Sequence, residues 1–395
     1  MRERLDRARD RSHTIVVRAP RGYGKTSAVA TWVGHHPEWS VVWIGMGTLI
    51  GSWSDAVDVI WAGLQSVGLD PGDLPDEMPN RVRIVTALKR TTEQVVIVVD
   101  NVGPIDGSTF ERIAAAAEDL PTVTAVLITR SPSGPAEVPA VADGRVGVVV
   151  ASELGWDSTM AHDALERRGI GIPRSVSAQL TEYAEGRGEA IINTGAWWHV
   201  ESANGASATR RGPERLLADW TLEAVRTLVG EPGQRVLLAI AALYEVPRGL
   251  LPDVLSALPD ATADMVRSLV DEDHLALRTS AFGSEMSYSV KAVVRDELAQ
   301  IARDRLSASL SGLHAAAAAY HARPGGSEVL GLLHRAHSGE GAGVLPSVRD
   351  VWVSSNGLGD TLAPLFGALS ADALLEDPPL AALRVLVDRT RPGRL

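Results

Sequence analysis

The chain contains no cysteine. That excludes a disulfide, a thiolate nucleophile and any cysteine-ligated metal. It also fits a reducing compartment, so the expected location is cytoplasmic. Lysine is almost missing: Lys25, Lys89 and Lys291 are the only three, and arginine supplies the rest of the 38 basic residues. Each lysine therefore invites inspection. No apolar run reaches the roughly 18 residues of a membrane helix, so no membrane partner is expected. Met1–Ser12 is charged rather than apolar, and no signal peptide is visible. Positive charge is in deficit overall, with 38 basic against 49 acidic residues and a net charge of −11. An acidic surface argues against a general affinity for nucleic acid. What remains is the composition of a folded, multidomain soluble protein: 395 residues, 45% hydrophobic and 22% charged.

Within the first 150 residues, short β-branched runs alternate with helical patterns. Thr14–Arg18, Val41–Met46, Val95–Asp100, Thr124–Thr129 and Val146–Val150 read as five buried strands. They are almost continuously apolar, as strands covered on both faces are. Helices are predicted between them at Lys25–Val33, Ser54–Val67, Arg81–Arg90 and Thr109–Glu118. This alternation predicts a doubly wound, parallel five-stranded sheet. After Ser152 the strand signals fade. Asp157 can cap a helix over Ser158–Arg168, and Val176–Ala184 and Glu189–Val200 look helical. Glu201–Gly212 is small, polar and turn-rich, the best linker candidate. Helical stretches at Pro213–Leu228, Gln234–Tyr244, Leu250–Ala257 and Ala261–Val270 precede two short strands, Leu275–Thr279 and Glu285–Val290. Helices followed by a hairpin read as a winged helix. From Lys291 onward the chain is helix-prone, with a helix pair at Leu313–His321 and Glu328–His337 that could begin a repeat array.

Three motifs carry chemistry. Ala19-Pro20-Arg21-Gly22-Tyr23-Gly24-Lys25-Thr26, followed by Ser27, lies between the first strand and the first predicted helix. A phosphate loop needs small residues so that backbone N–H groups turn onto the anion. It also needs a lysine for the β- and γ-phosphates and a hydroxyl for Mg²⁺. Gly22, Tyr23, Gly24, Lys25, Thr26 and Ser27 are thus the candidate phosphate contacts. Ala19 stands at the first glycine position, where alanine disfavours a left-handed backbone. Second, the apolar run Val95–Val99 ends in Asp100, which can hold Mg²⁺ with Thr26. The next residue is Asn101, whose amide cannot act as a general base. Third, Arg130 ends the fourth strand, either to meet a γ-phosphate or simply to cap the strand at the surface.

Taken in order, APRGYGKT, Trp32, Trp43, VVIVVDN and LITRS resemble the STAND class of signalling NTPases. Within it the chain is most similar to the large ATP-dependent regulators like the maltose-regulon activator. The resemblance implies an α/β P-loop NTPase domain at 1–150, a helical lid at 151–205, a winged helix at 206–300 and an all-α arm at 301–395. It implies ATP/ADP and Mg²⁺ as ligands, self-association, an unknown inducer and transcriptional control as output. In that family Ala-Pro commonly opens the loop, so Ala19 is no departure. Gly186 would contact the nucleotide from the lid, and Asp100 and Arg130 would be the catalytic groups. There are departures. The lid run Glu185-Gly186-Arg187-Gly188 has Gly188 where the family carries a proline that touches adenine. Lys291 stands where a histidine meets the β-phosphate. The alternative is a degenerate P-loop scaffold that binds nucleotide weakly or not at all.

Residues 231–300, the candidate DNA reader, carry six basic against eleven acidic side chains. That is the wrong sign for neutralising phosphates, so no direct DNA binding is expected. His334-x-x-His337 offers two imidazoles but no nearby carboxylate, a weak zinc motif. His35-His36 reads as a helix C-terminal cap, and Trp197-Trp198 as lid core.

Overall fold

In the computed structural model, residues 2–45, 53–69, 78–102, 107–130, 139–203, 212–271, 277–282, 285–340 and 347 are described. Most of the linker read at Glu201–Gly212 lies outside them, as does the arm beyond Glu340 except residue 347. The chain forms two compact units, Met1–Leu217 with Asp271–Asp273, and Ala218–Val270 with the chain from His274 onward.

The first unit opens with helix α1 (Arg2–Arg11), which the charged composition of that segment had concealed. Leu5 is its fully buried anchor, and its Asp6 carboxylate accepts a 2.8 Å hydrogen bond from the Trp32 indole. There follow β1 (Thr14–Arg18), α2 (Lys25–Gly34), β2 (Ser40–Gly45), α3 (Trp53–Ser66), α4 (Asn80–Arg90), β3 (Val95–Val102), α5 (Gly107–Glu118), β4 (Val123–Thr129), the short α6 (Pro139–Ala142) and β5 (Val146–Val150). All five predicted strands are present, in the parallel order β2-β3-β4-β1-β5. Side chains alternate across this sheet as strand geometry requires. Ile15, Val17, Val96 and Val98 join one core with Leu5, Val29 and Trp32. Val16, Ile97 and Val99 join the other with Leu64, Leu88 and Ala114. Two apolar layers, one on each face, are why these strands read as continuous hydrophobic runs. Strand order and helix placement are those of a doubly wound P-loop NTPase fold.

The lid completes the unit. It consists of α7 (Ala151–Leu154), α8 (Ser158–Glu166), α9 (Arg174–Tyr183) and α10 (Gly188–Ala203). Asp157 caps α8 as expected, accepting from the Met160 N–H at 2.8 Å. The inner face of α10 is Ala190, Ile191, Thr194 and Gly195. Burial along α10 stops after Gly195, and Trp197, beyond that point, is exposed, so the lid-core assignment fails for it. His35 does close α2, its imidazole lying 2.6 Å from the Thr31 carbonyl.

The helical run α11 (Pro213–Ala242) is kinked at Gly230, matching the break read between Leu228 and Gln234. The second unit continues with β6 (Glu245–Pro247), α12 (Leu251–Ser256), α13 (Ala263–Asp271), β7 (Leu277–Phe282) and β8 (Glu285–Val290). The expected hairpin β7–β8 is joined by β6, which three residues of strand were too short to reveal, in the antiparallel order β6-β8-β7. Then come α14 (Ala292–Arg305), α15 (Ser307–His321) and α16 (Glu328–Arg335), whose last turn widens into a π-turn over Ala336–Glu340. Lys291 follows β8 directly and is the N-cap residue of α14.

Candidate functional site

In a doubly wound sheet, ligands bind beyond the carboxyl ends of strands where the strand order reverses. Here β1 lies between β4 and β5, and a cavity of about 740 Å³ opens past β1, β3 and β4. Its wall contains Gly22 through Ser27 from the loop after β1, Asp100 and Asn101 from β3, and Arg130 after β4. Eight of the ten residues singled out by sequence as functional are thus gathered here. The two that are not are Gly186, which lies outside the wall, and Lys291, which belongs to the second unit.

The loop's shape follows from its glycines. Gly22 has φ +88°, and a Cβ there would come within 2.9 Å of a Glu189 carboxylate oxygen. Gly24, φ +73°, is the N-cap residue of α2 and turns the chain into the helix. Ala19 is not among the positive-φ residues. The left-handed positions fall later in the loop, so alanine at the first position meets no backbone strain. Lys25 is buried, and its Nζ donates to the carbonyls of Ala19 at 2.6 Å and Pro20 at 2.8 Å. These bonds hold the ammonium inside the loop it would share with an anion. The positive end of α2 points into the same space.

Thr26 Oγ1 donates to Asp100 Oδ1 at 3.3 Å. A hydroxyl and a carboxylate brought together across 74 residues are the hard oxygen donors that Mg²⁺ accepts. Among the described residues no group of three or more His, Asp or Glu is arranged for a metal. Mg²⁺ fits here nonetheless, because it takes one or two protein oxygens and completes its shell with water and phosphate. Asn101 has φ +62°, at a register shift in the β3–β4 ladder between Val99 and Val102. Asparagine is one of the few residues that tolerate this conformation. The kink delivers the Asn101 side to the cavity while Val102 returns to the core.

The lid reaches the loop through contacts that sequence reasoning missed. The Tyr23 hydroxyl donates to the Glu185 carbonyl at 3.2 Å, and the Glu189 N–H donates to the Gly22 carbonyl at 3.0 Å. The Arg187 guanidinium, buried, sits 5.2 Å from the Tyr23 ring centroid. Trp156, Arg168, Glu189 and Asn193 add to the cavity wall from this side. In the sequence, the Asp157 cap one residue away was the signal beside Trp156, and the run Glu185–Gly188 was marked only by family resemblance.

The imidazoles of the arm form a separate cluster in the second unit. His314 Nδ1 and His334 Nδ1 are 3.1 Å apart, and His337 stacks on His314 with ring centroids 4.6 Å apart.

No protein-family model and no curated protein matches the chain. Among solved structures it is similar to a Walker-type ATPase of Pyrococcus abyssi, at 12% identity and TM-score 0.44, over 75% of this chain and 94% of that one. It is similar to Cdc6p from Pyrobaculum aerophilum at 13% identity and TM-score 0.40, over 76% and 93% of the two chains. It is also similar to a signal transduction ATPase with numerous domains (STAND) carrying a tetratricopeptide repeat sensor, from Pyrococcus horikoshii. That match has 14% identity and TM-score 0.38, and covers 99% of this chain but 56% of the other. At these scores the likenesses are distant, and the fold assignment rests on the strand order and the loop themselves.

Proposed function

We propose that the chain is an ATP- and ADP-binding switch of the STAND type, the core of a transcriptional regulator, with domains at 1–150, 151–205, 206–300 and 301–395. The observation that carries it is convergence. A glycine-turned loop with a buried lysine, the Thr26–Asp100 oxygen pair, Arg130 and the lid all meet at one cavity. In this reading Lys25 binds the β- and γ-phosphates, and backbone N–H groups from Gly22 to Ser27 hold the rest of the anion. Thr26 and Asp100 hold Mg²⁺, and Arg130 senses the γ-phosphate. Asn101 orients water but cannot deprotonate it, so hydrolysis is slow. Lys291, in the winged-helix domain, is the latch for the β-phosphate in the ADP-bound state. A ligand at a hundredfold excess over its Kd stabilises the state that binds it by about 2.7 kcal/mol, enough to bias a domain equilibrium. ATP together with an inducer would then favour an open, self-associating form. Transcriptional output is the step that family resemblance alone supports.

Titration calorimetry with ATP and ADP on the wild type and Lys25→Ala tests the reading. Strong weakening without unfolding is expected. Equal affinities would remove the phosphate-loop assignment. A second reading, the degenerate scaffold, is favoured by Asn101. It predicts that the wild type shows no nucleotide binding and carries none through purification.

A further inference from the structure

The lid turn Glu185-Gly186-Arg187-Gly188 contains two glycines, and both are packed against one residue, Trp156. A Cβ on Gly186 would lie 2.8 Å from the Trp156 carbonyl oxygen and 2.9 Å from its nitrogen. A Cβ on Gly188 would lie 2.9–3.2 Å from three atoms of the indole ring. The Trp156 N–H donates to the Gly186 carbonyl at 2.9 Å. Its neighbour Asp157 is pinned as the cap of α8. Backbone and ring are therefore both held, and the lid has given up side chains at two positions to hold them.

What the indole does not have is full cover. Trp32, a true core tryptophan of the same unit, is 1% exposed, whereas Trp156 remains partly exposed and lines the cavity. The next residue along from Gly188 is Glu189, whose N–H bonds to the loop carbonyl of Gly22. The aromatic platform thus stands beside the phosphate loop, on its lid side. Met160 and Ile192 contribute apolar wall to the same cavity, and Arg168 and Asn193 contribute polar groups. A flat aromatic face with apolar flanks and a few polar groups suits a nucleobase, which stacks through its π-face and is read along its edge.

We propose that Trp156 is the base-binding residue of the site, stacking the purine of the bound nucleotide, and that Gly188 is glycine to make room for its indole. The inference rests on the nucleotide reading above and names the part of the ligand that reading leaves open. Asn193 and Arg168 supply hydrogen-bonding partners for the edge of the ring. Gly186 acts on Trp156 rather than on the nucleotide.

The experiment compares ADP with inorganic pyrophosphate, both with Mg²⁺, by titration calorimetry. Pyrophosphate carries the anion without the base. The wild type is expected to bind ADP at least about tenfold more tightly than pyrophosphate. Trp156→Ala should weaken ADP about 10- to 100-fold, in line with loss of one base–aromatic stack, and leave pyrophosphate unchanged. Trp156→Phe should retain most of the ADP affinity. Gly188→Ala, whose methyl displaces the indole, should behave like Trp156→Ala. Unchanged pyrophosphate binding also reports that each variant is folded. Equal ADP affinity in the wild type and Trp156→Ala overturns the proposal. So does a wild type that binds pyrophosphate as tightly as ADP, an outcome that would leave the phosphate loop standing. A wild type that binds neither ligand overturns the phosphate-loop reading and the base site with it.

Discussion

Removing the buried histidine pair of the arm should flatten the protein's response to mild acid. His314 and His334 are 2% and 0% exposed, on the facing helices α15 and α16, with their Nδ1 atoms 3.1 Å apart. That contact needs one ring to donate and the other to accept, so it cannot survive double protonation. Burial, reinforced by His337, lowers His314 to about 3. Burial, reinforced by His314, His321 and His337, lowers His334 to about 2. His321 is lowered by burial, and His337 by burial and then by Arg303. The groups acting on the pair are thus imidazoles, and the charge acting on His337 is a further cation. The sign follows from linkage. An unfolded histidine takes up a proton below about pH 6.5 while the folded pair stays neutral, so stability is full above that pH and falls as pH drops toward 3.

Between pH 7.5 and 5.0 each of the two rings costs about 2 kcal/mol, about 4 kcal/mol for the pair. Against a domain stability of about 5–15 kcal/mol that is a large fraction. The double substitution His314→Leu/His334→Leu removes both groups without stranding one of them. Native-state amide exchange over α15 and α16 reads the local opening free energy at both pH values. The wild type should lose about 4 kcal/mol more than the double variant across this interval. Identical pH dependence in the two proteins would refute the reasoning.

Other outcomes follow from the site. Asn101→Asp should speed phosphate release in a single-turnover ATPase assay, because aspartate tolerates the left-handed backbone and adds a base beside the cavity; a fast wild-type rate would mean that another acid serves as base. Lys291→Ala should raise the off-rate of a fluorescent ADP analogue and shift sedimentation toward a self-associated form. If both stay unchanged, Lys291 is a surface residue of the second unit. Gly22→Ala should weaken nucleotide binding at least about tenfold, since the new methyl meets φ +88° and the Glu189 carboxylate at 2.9 Å. Wild-type affinity in calorimetry would show that the lid yields at no cost.

Much of the first unit was legible from local chemistry. Near-continuous runs such as Val95–Val99 mark strands covered on both faces, and the loop from Ala19 to Thr26 announces its anion site by residue type alone. Both signals reside in neighbouring residues, so the chain's own order displays them. The helix Arg2–Arg11 was invisible because its buried content amounts to little more than Leu5 in a charged segment. Strand β6 was too short to show a period. The exposure of Trp197 depended on how far along α10 its neighbours extend, since burial ends at Gly195, and composition does not show where that cover stops.

Other features existed only after folding. Asp100 meets Thr26 across 74 residues of intervening chain, and Tyr23 meets Glu185 across 162. The glycine at 188, read in sequence as a lost proline, is in the structure the space that an indole from position 156 requires. Of the four histidines between 314 and 337, only His334 and His337 stood out as a pair in the sequence, and two packed helices bring the rings of His314 and His321 to them. The sequence by itself determined the five strands of the parallel sheet, the phosphate loop and the cap at Asp157, because each depends on residues a few positions apart. Only the tertiary structure decided which distant side chains share a wall, because that depends on how sheet and lid pack, and no short window of sequence carries it.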